Sequence, residues 1–584
     1  MRAGKIVVAV VVAATALTTT GASAIATSDQ AGASTGRFDR PRHGFASPHT
    51  VLRDGQPADV GLDPARIADA ERFLTEKTRP DGSGHPLFSG AVGLLAHDGV
   101  VVDRFATGGA VRYADGAGTE LPVDQQLPMR TDTIFDLASI SKLFTSIAVL
   151  QLVERGQLEL AAPVVRYLPE FGVHGKESIT VEQLLTHTSG FDADPTPSLW
   201  AGYPDIPSRR KAVLDSPLKN PPGSTYLYSD INLMTLGFLV EKVTGATLDA
   251  VVRDRITAPL GMTDTGYNPP TAKLDRVAAT EFQANPPRSM VRGQVHDENA
   301  WSLGGVSGHA GVFSTAGDLA ILGQAVLGGG SYAGHRILRE STVRTMLTNH
   351  NQAFGEAQGL GFELDRMFYM GGLASPSTAG HTGYTGTTLV IDPESRSIAI
   401  LLTNRVHPSR NWGSINPARE AWATALARSL AVPPSRGRDA WFSEIGNLGT
   451  ATLTSRPLAT GGGPLDIRYE AFLDTEVTDR LFLEWSNDGS TWQPVPVRAF
   501  GRGATEGETP SLSGHGHRSW WHVRATVPAA DQVILRWRYS TDKSYTGRGV
   551  LLDGLRVLEH GRVVLDGERD PSSLTATGWR PIPR

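Results

Sequence analysis

The stretch Asp136-Leu137-Ala138-Ser139-Ile140-Ser141-Lys142-Leu143-Phe144-Thr145 opens an apolar segment that reads as a helix over Leu143–Glu154 and stops at Gly156. Ser139 and Lys142 are three apart, so a helical turn puts them on one face. A serine hydroxyl is a poor nucleophile until a base takes its proton, and a desolvated lysine amine beside it can do so. Ser-x-x-Lys recurs by chance in long chains, so its weight depends on what lies around it.

Upstream, Asp63 caps a helix running through Ala65–Glu76 with Pro64 at its first position. Gly90–Ala96 and Val100–Phe105 flank His97-Asp98-Gly99 as a hairpin. From about 155 to 330 helical patterns dominate, among them Met234–Val243, Leu248–Ile256 and Ser314–Leu327. Strands return at Thr387–Ile391 and Ile398–Thr403, and Asn416–Leu430 reads as a helix. Strands at both ends of a helical middle predict an α+β unit: an antiparallel sheet flanked by helices, with a helical insertion.

Pro433-Pro434-Ser435-Arg436-Gly437-Arg438 reads as a linker, after which period-2 alternation takes over in Leu481–Trp485, Trp521–Ala525, Val533–Tyr539 and Val550–Val557. This predicts an all-β sandwich. Seven of the eleven tryptophans fall there, which raises the question of sugar stacking. Trp485, Trp521 and Trp537 lie inside alternating strands and read as core, whereas Trp492 and Trp579 sit at turns or ends. A cell-wall glycan is therefore a candidate partner of this region. The expected organisation is an export signal over 1–24, a mobile lead over 25–50, a catalytic unit over 51–432, a linker over 433–438 and a β-sandwich over 439–584.

The export signal is read from Arg2 and Lys5, the apolar run Ile6–Leu17 and the small-residue site Ala22-Ser23-Ala24, with Ala24-Ile25-Ala26 as a second cleavage point. The run is short for a membrane span, so the expected protein is secreted and free of the membrane after cleavage. The chain has no cysteine, which excludes disulfides, thiolate metal sites, a cysteine nucleophile and a lipid-modified N-terminal cysteine. A net charge of −5 over 584 residues, without blocks of one sign, argues against nucleic acid as a partner.

Three clusters follow the serine: Leu184-Leu185-Thr186-His187-Thr188-Ser189-Gly190, then Tyr228-Ser229-Asp230 within Pro222–Asn232, then His381-Thr382-Gly383-Tyr384. With them, from about Gly61 to Leu430, the chain resembles the serine β-lactamase and penicillin-binding-protein superfamily. The likeness is closest to class C β-lactamases, serine esterases and low-molecular-mass D-alanyl-D-alanine peptidases. Each motif is weak alone; together and in order they are strong. The resemblance implies Ser139 as nucleophile, Lys142 and Tyr228 as its proton relay, and Asp230, His381, Thr382 and Gly383 as substrate-binding residues. It implies an oxyanion hole from the backbone N–H groups of Ser139 and Tyr384. Whether lysine or phenolate is the free base is disputed in the wider family.

Two positions depart from the family pattern. His381 stands in place of a lysine and is mostly neutral at pH 7 unless a neighbour intervenes. Asp230 stands where asparagine is usual; a carboxylate cannot donate to a substrate carbonyl but can pair with Lys142 or accept from a substrate amine. Both departures move the expected substrate from a β-lactam toward a D-amino-acid peptide or an ester. The alternatives are a β-lactamase or a non-hydrolytic wall-fragment or penicillin binder. His187 reads as structural. The run Val295–Ala300 with Gly308–Gly311 holds two His and two acids but reads as a tight loop near the cleft, so neither metal nor organic cofactor is expected. Gly-x-Ser-x-Gly is missing, which counts against an α/β-hydrolase.

Overall fold

The structure, a computed structural model, describes residues 36–583. The expected export signal lies outside the described residues. In chain order the elements that build the site are α1 (Pro64–Glu76), β1 (Gly90–His97), β2 (Val100–Val111), α2 (Ser141–Glu154), α3 (Asp230–Thr244), α4 (Ala316–Leu327), β3 (Glu363–Leu364), β4 (Ala379–Thr382), β5 (Thr387–Asp392), β6 (Ser397–Thr403) and α5 (Asn416–Ser429). The strands form one sheet in the order β2-β1-β6-β5-β4-β3. These neighbours are antiparallel, and Arg53–Asp54 adds a parallel edge to β2, so the sheet is mixed rather than purely antiparallel.

Local chemistry explains the strand ends. Asp98 and Gly99 close the β1–β2 hairpin with φ of 47° and 78°. That is the pair of left-handed residues a two-residue turn of this kind needs. Both faces of the sheet are covered. Val92, Leu94, Leu389, Ile398 and Ile400 point into a core shared with α2, α3 and α4. Ala91, Leu95, Val390, Ala399 and Leu401 point into a second core shared with α1 and α5. This is why β1 and β6 read as continuous apolar runs. α2 is apolar on every side and is buried as the central helix. Gly93 admits α5 closely, since a Cβ there would come 2.4 Å from the Trp422 ring.

The C-terminal region is a separate arrangement of two antiparallel sheets. Its main strands are β7 (Asp439–Ser443), β8 (Leu465–Asp474), β9 (Arg480–Ser486), β10 (His515–Val527), β11 (Gln532–Ser540) and β12 (Gly549–Glu559). One sheet carries β10-β8-β12-β7 and the other β9-β11 with Thr450–Ser455. Alternate residues, including Leu483, Trp521, Leu535 and Trp537, fill the space between them. Trp579, expected at a turn or end, is also buried there, and the Arg536 guanidinium lies 3.9 Å above the Trp492 ring.

The two regions share a core. Phe442, Phe472 and Leu551 pack into the cluster that holds α1 and α5. Arg518 of β10 reaches Asp392 at the end of β5, Nη1 to Oδ2 2.7 Å, and both side chains are 0% exposed. The Arg518 and Arg548 guanidiniums lie 4.2 and 5.2 Å from the centre of the Phe38 ring, and the Phe38 N–H donates to Ala431 O at 2.8 Å. So this part of the lead is packed, because Phe38 is an apolar residue in a polar run and finds a core. Within 433–438, Ser435 Oγ and Arg436 N both donate to the buried Asp553. Among the described residues no helix is long and apolar enough to cross a membrane.

Candidate active site

The turn before α2 is built around a buried carboxylate. Asp136 Oδ1 accepts from Ala138 N at 2.9 Å and Oδ2 from His296 N at 2.5 Å. Burial pushes the Asp136 pKa up, against those two bonds. Thr385 Oγ1 donates to Asp136 O at 2.7 Å and Thr387 Oγ1 to Leu137 O at 3.0 Å. The turn is thus held by the 296 loop on one side and the β4–β5 turn on the other. Ala138 takes φ of 46°. A non-glycine residue in this region is strained, and here it directly precedes the candidate nucleophile.

Ser139 lies at the border of two clefts. One, of about 630 Å³, is lined by Tyr228, Glu363, His381, Thr382, Gly383, Tyr384 and Arg405. The other, of about 470 Å³, is lined by Asp194, Trp200, Asp230, Asp297 and His309, with Ser139, Tyr228, Tyr384 and Arg410 in common. Lys142 is fully buried one turn on. Its Nζ lies 2.8 Å from Ser139 Oγ, 3.2 Å from His309 O and 2.8 Å from Asp230 Oδ1. As an ammonium it donates to Ser139 Oγ and His309 O and pairs in charge with Asp230; as an amine it accepts from the serine. The same geometry therefore serves both sides of a proton transfer.

Tyr228 completes the group. Lys142 Nζ is 4.9 Å from its ring centroid. Burial, and then the Asp230 charge, push its pKa well above the usual phenol value, and Ser139 beside it opposes the rise. Tyr228 is thus a neutral hydroxyl here, not a standing phenolate. His187 stacks on its ring at 4.6 Å. The His187 Nδ1 lies 3.1 Å from Ser229 N, which donates to it, and 3.2 Å from Asn232 Nδ2. The histidine of the Thr186-His187-Thr188 run thereby props the tyrosine.

His381 is buried on β4, 2.7 Å from Thr382 O through Nδ1. A carbonyl only accepts, so Nδ1 carries the proton and Nε2 is an acceptor. Burial, then the Lys142 charge, push its pKa down to about 3. It is therefore uncharged at neutral pH. Gly383 allows the strand to approach the nucleophile turn: a Cβ there would come 2.3 Å from Leu137 O and 2.1 Å from Thr387 Oγ1. Tyr384 follows, 49% exposed at the cleft mouth. Ser139, Lys142, Tyr228, Asp230, His381, Thr382, Gly383 and Tyr384 thus meet around one cleft.

Other residues here carry no sequence motif. His309 Nε2 is 3.0 Å from Asp297 Oδ1. Burial alone would lower the His309 pKa, but Asp297 and then Asp230 outweigh it and raise it. Asp230, Asp297 and His309 place one ligand atom each within 4.8 Å of one another. Their charges are matched within the protein, Asp230 by Lys142 and Asp297 by His309. Burial, then Asp230 and Asp297, raise Asp194 to about 6. Glu363 is raised by burial to about 7. Among these, only the His-Asp content of residues 295–311 was visible as a cluster beforehand.

The family model for beta-lactamase matches residues 84–421, more than half of the chain. An Escherichia coli (strain K12) protein named "Putative D-alanyl-D-alanine carboxypeptidase" is 35% identical over 392 residues, covering 62% of this chain and 87% of that protein. A penicillin-binding protein homologue from Caulobacter crescentus has 23% identity and a TM-score of 0.48, covering 63% of this chain and 99% of its own. EstCE1, a hydrolase with promiscuous acyltransferase activity, has 23% identity and a TM-score of 0.48, covering 62% and 99%. The family match spans the β1–β2 hairpin, the serine–lysine turn, Tyr228 and the His381 strand, and the chain belongs to the β-lactamase family of serine hydrolases.

Proposed function

We propose that this protein is a secreted hydrolase in which Ser139 attacks an amide or ester carbonyl and forms an acyl-enzyme. D-amino-acid peptides and simple esters are the leading substrates, ahead of β-lactams. The observation that carries the reading is the 2.8 Å contact of Ser139 Oγ with the buried Lys142 Nζ. In the proposed cycle Lys142, reacting as the amine, takes the serine proton; the Tyr228 hydroxyl gives its own proton to the leaving group and regains one from Lys142. The N–H groups of Ser139 and Tyr384 receive the oxyanion. Water then resolves the ester by the reverse path.

Two features support the substrate class. His381 and Asp230 offer acceptors where the family pattern has lysine and asparagine, which are donors. An uncharged imidazole gives no ion pair to a β-lactam carboxylate, and a carboxylate gives no bond to its acylamino carbonyl. Both suit N–H groups of a peptide or amine. The name of the E. coli relative points the same way. Secretion rests on the sequence of residues 1–24, and the division into units at 51–432 and 439–584 rests on the Pro-rich stretch between them.

The test is a panel of nitrophenyl esters, D-alanyl amides and a chromogenic cephalosporin, assayed with wild type and Ser139→Ala. The expected result is turnover of an ester or D-alanyl amide well above that of the cephalosporin, falling by roughly 10³-fold or more in the variant. Full turnover by Ser139→Ala sinks the scheme, and faster cephalosporin turnover sinks the substrate assignment.

A further inference from the structure

Arg419 lies in the first turn of α5, beneath the strand end that carries Gly383 and Tyr384. It is only 8% exposed. Its guanidinium is held by neutral oxygens: Nη2 donates to Gly383 O at 2.7 Å and Thr387 O at 3.2 Å, Nε to Thr388 Oγ1 at 2.9 Å, and Nη1 to Asn416 Oδ1 at 3.0 Å. Its four hydrogen-bond acceptors are all uncharged, and the Glu363 carboxylate acts on its charge only from further off. A buried cation whose direct partners are dipoles is costly, and its charge acts on whatever lies next to it at low dielectric.

Its shortest bond reaches the peptide group that carries the candidate oxyanion donor. The Gly383 carbonyl and the Tyr384 N–H belong to the same planar unit, joined by amide resonance. A charge-assisted bond to the carbonyl oxygen draws electron density toward it and leaves the nitrogen more positive. The N–H at the other end becomes a stronger donor. We propose that Arg419 is a positioning and polarising residue for acyl transfer, strengthening the Tyr384 N–H through the Gly383 carbonyl. This inference rests on the reading of Tyr384 N–H as an oxyanion donor.

The effect belongs to the transition state. As Ser139 Oγ bonds to the substrate carbon, the carbonyl π pair moves onto oxygen. On collapse the pair returns, the bond to the leaving group breaks, and that group leaves with a proton. A stronger donor acts on the oxygen only while it carries the extra charge, so it raises kcat more than it lowers KM.

The experiment compares an oxyester with the thionoester of the same acyl and leaving groups, in wild type, Arg419→Gln and Arg419→Lys. Sulfur is a weak hydrogen-bond acceptor, so the ratio of the two rates reads the donor strength of the hole. Arg419→Gln is expected to lower kcat on the oxyester by roughly 10- to 100-fold, less than loss of a whole oxyanion donor. It should lose clearly less on the thionoester, and Arg419→Lys should recover part of the ratio. Equal losses on both substrates, or a loss confined to KM, overturn the proposal. Should Arg419→Gln not fold, Asn416→Ala loosens one arm of the guanidinium. It should shift the ratio the same way by a smaller factor, and an unchanged ratio overturns the proposal. A wild-type enzyme with no oxyester preference overturns the oxyanion assignment and this inference together. A wild-type preference kept in full by the variants overturns only the role of Arg419.

Discussion

At the scale of single residues, the site divides protons by environment. Lys142 is enclosed by Ser139 Oγ, His309 O and Asp230, while Tyr228 is driven toward the neutral phenol by burial and by that same Asp230 charge. In the proposed cycle a neutral phenol between serine and leaving group relays a proton and does not store one. Tyr228→Phe is therefore expected to lower kcat by roughly 10²-fold or more while leaving KM within a few fold. Steady-state ester kinetics check this; a variant close to wild type in kcat contradicts the relay. Glu363 offers a pH test. Burial raises its pKa from 4.5 to about 7 in the folded chain. The folded state therefore holds a proton that the unfolded state has released, and stability falls as pH rises from about 4.5 to about 7. Glu363→Gln should remove up to about 3 kcal/mol of that fall. Urea titrations of both proteins at pH 5 and pH 8 measure it, and an identical pH dependence contradicts the assignment.

At the scale of elements, the turn that carries the candidate nucleophile stores strain and is braced to hold it. Asp136 satisfies the N–H groups of Ala138 and His296, and two threonines hold the turn from the β4–β5 side. Ala138, at φ 46°, is where glycine sits without strain. Ala138→Gly is expected to change stability by less than about 1 kcal/mol, because relief of strain offsets the freer unfolded chain. It should lower kcat several-fold, because a looser turn holds Ser139 less well. Calorimetry with ester kinetics on the same sample tests the pairing, and a kcat equal to wild type contradicts a bracing role. Much at this scale was legible in sequence. Asp98-Gly99 marks its hairpin because few residues accept positive φ, and Ser139 and Lys142 announce themselves through helical spacing. Asp136, Glu363 and Arg419 were not legible. Each acts through partners far along the chain, and Glu363 lies in a strand of two residues, too short to show a period.

At the scale of the whole molecule, the β-sandwich and the catalytic region share a core, so they are expected to unfold together. Arg518 and Asp392 are a fully buried ion pair across the junction. Arg518→Met leaves the Asp392 carboxylate buried without its cation, at a cost of about 3–5 kcal/mol. Adding Asp392→Asn should recover part of that loss. Calorimetry should show one transition in wild type, shifted downward in Arg518→Met. Two separate transitions, with only the sandwich moved, contradict the shared core. Sequence located the sandwich strands well because alternation is local. It did not show the junction: Phe38, Arg518 and Arg548 meet there from distant segments, and Trp579 gave no hint that it would turn inward. The account as a whole depends on Ser139 being the residue acylated. The direct measurement is peptide mapping by mass spectrometry after reaction with a fluorophosphonate. A single adduct is expected on the peptide holding Ser139, absent in Ser139→Ala; an adduct on another residue, or labelling that survives Ser139→Ala, contradicts it.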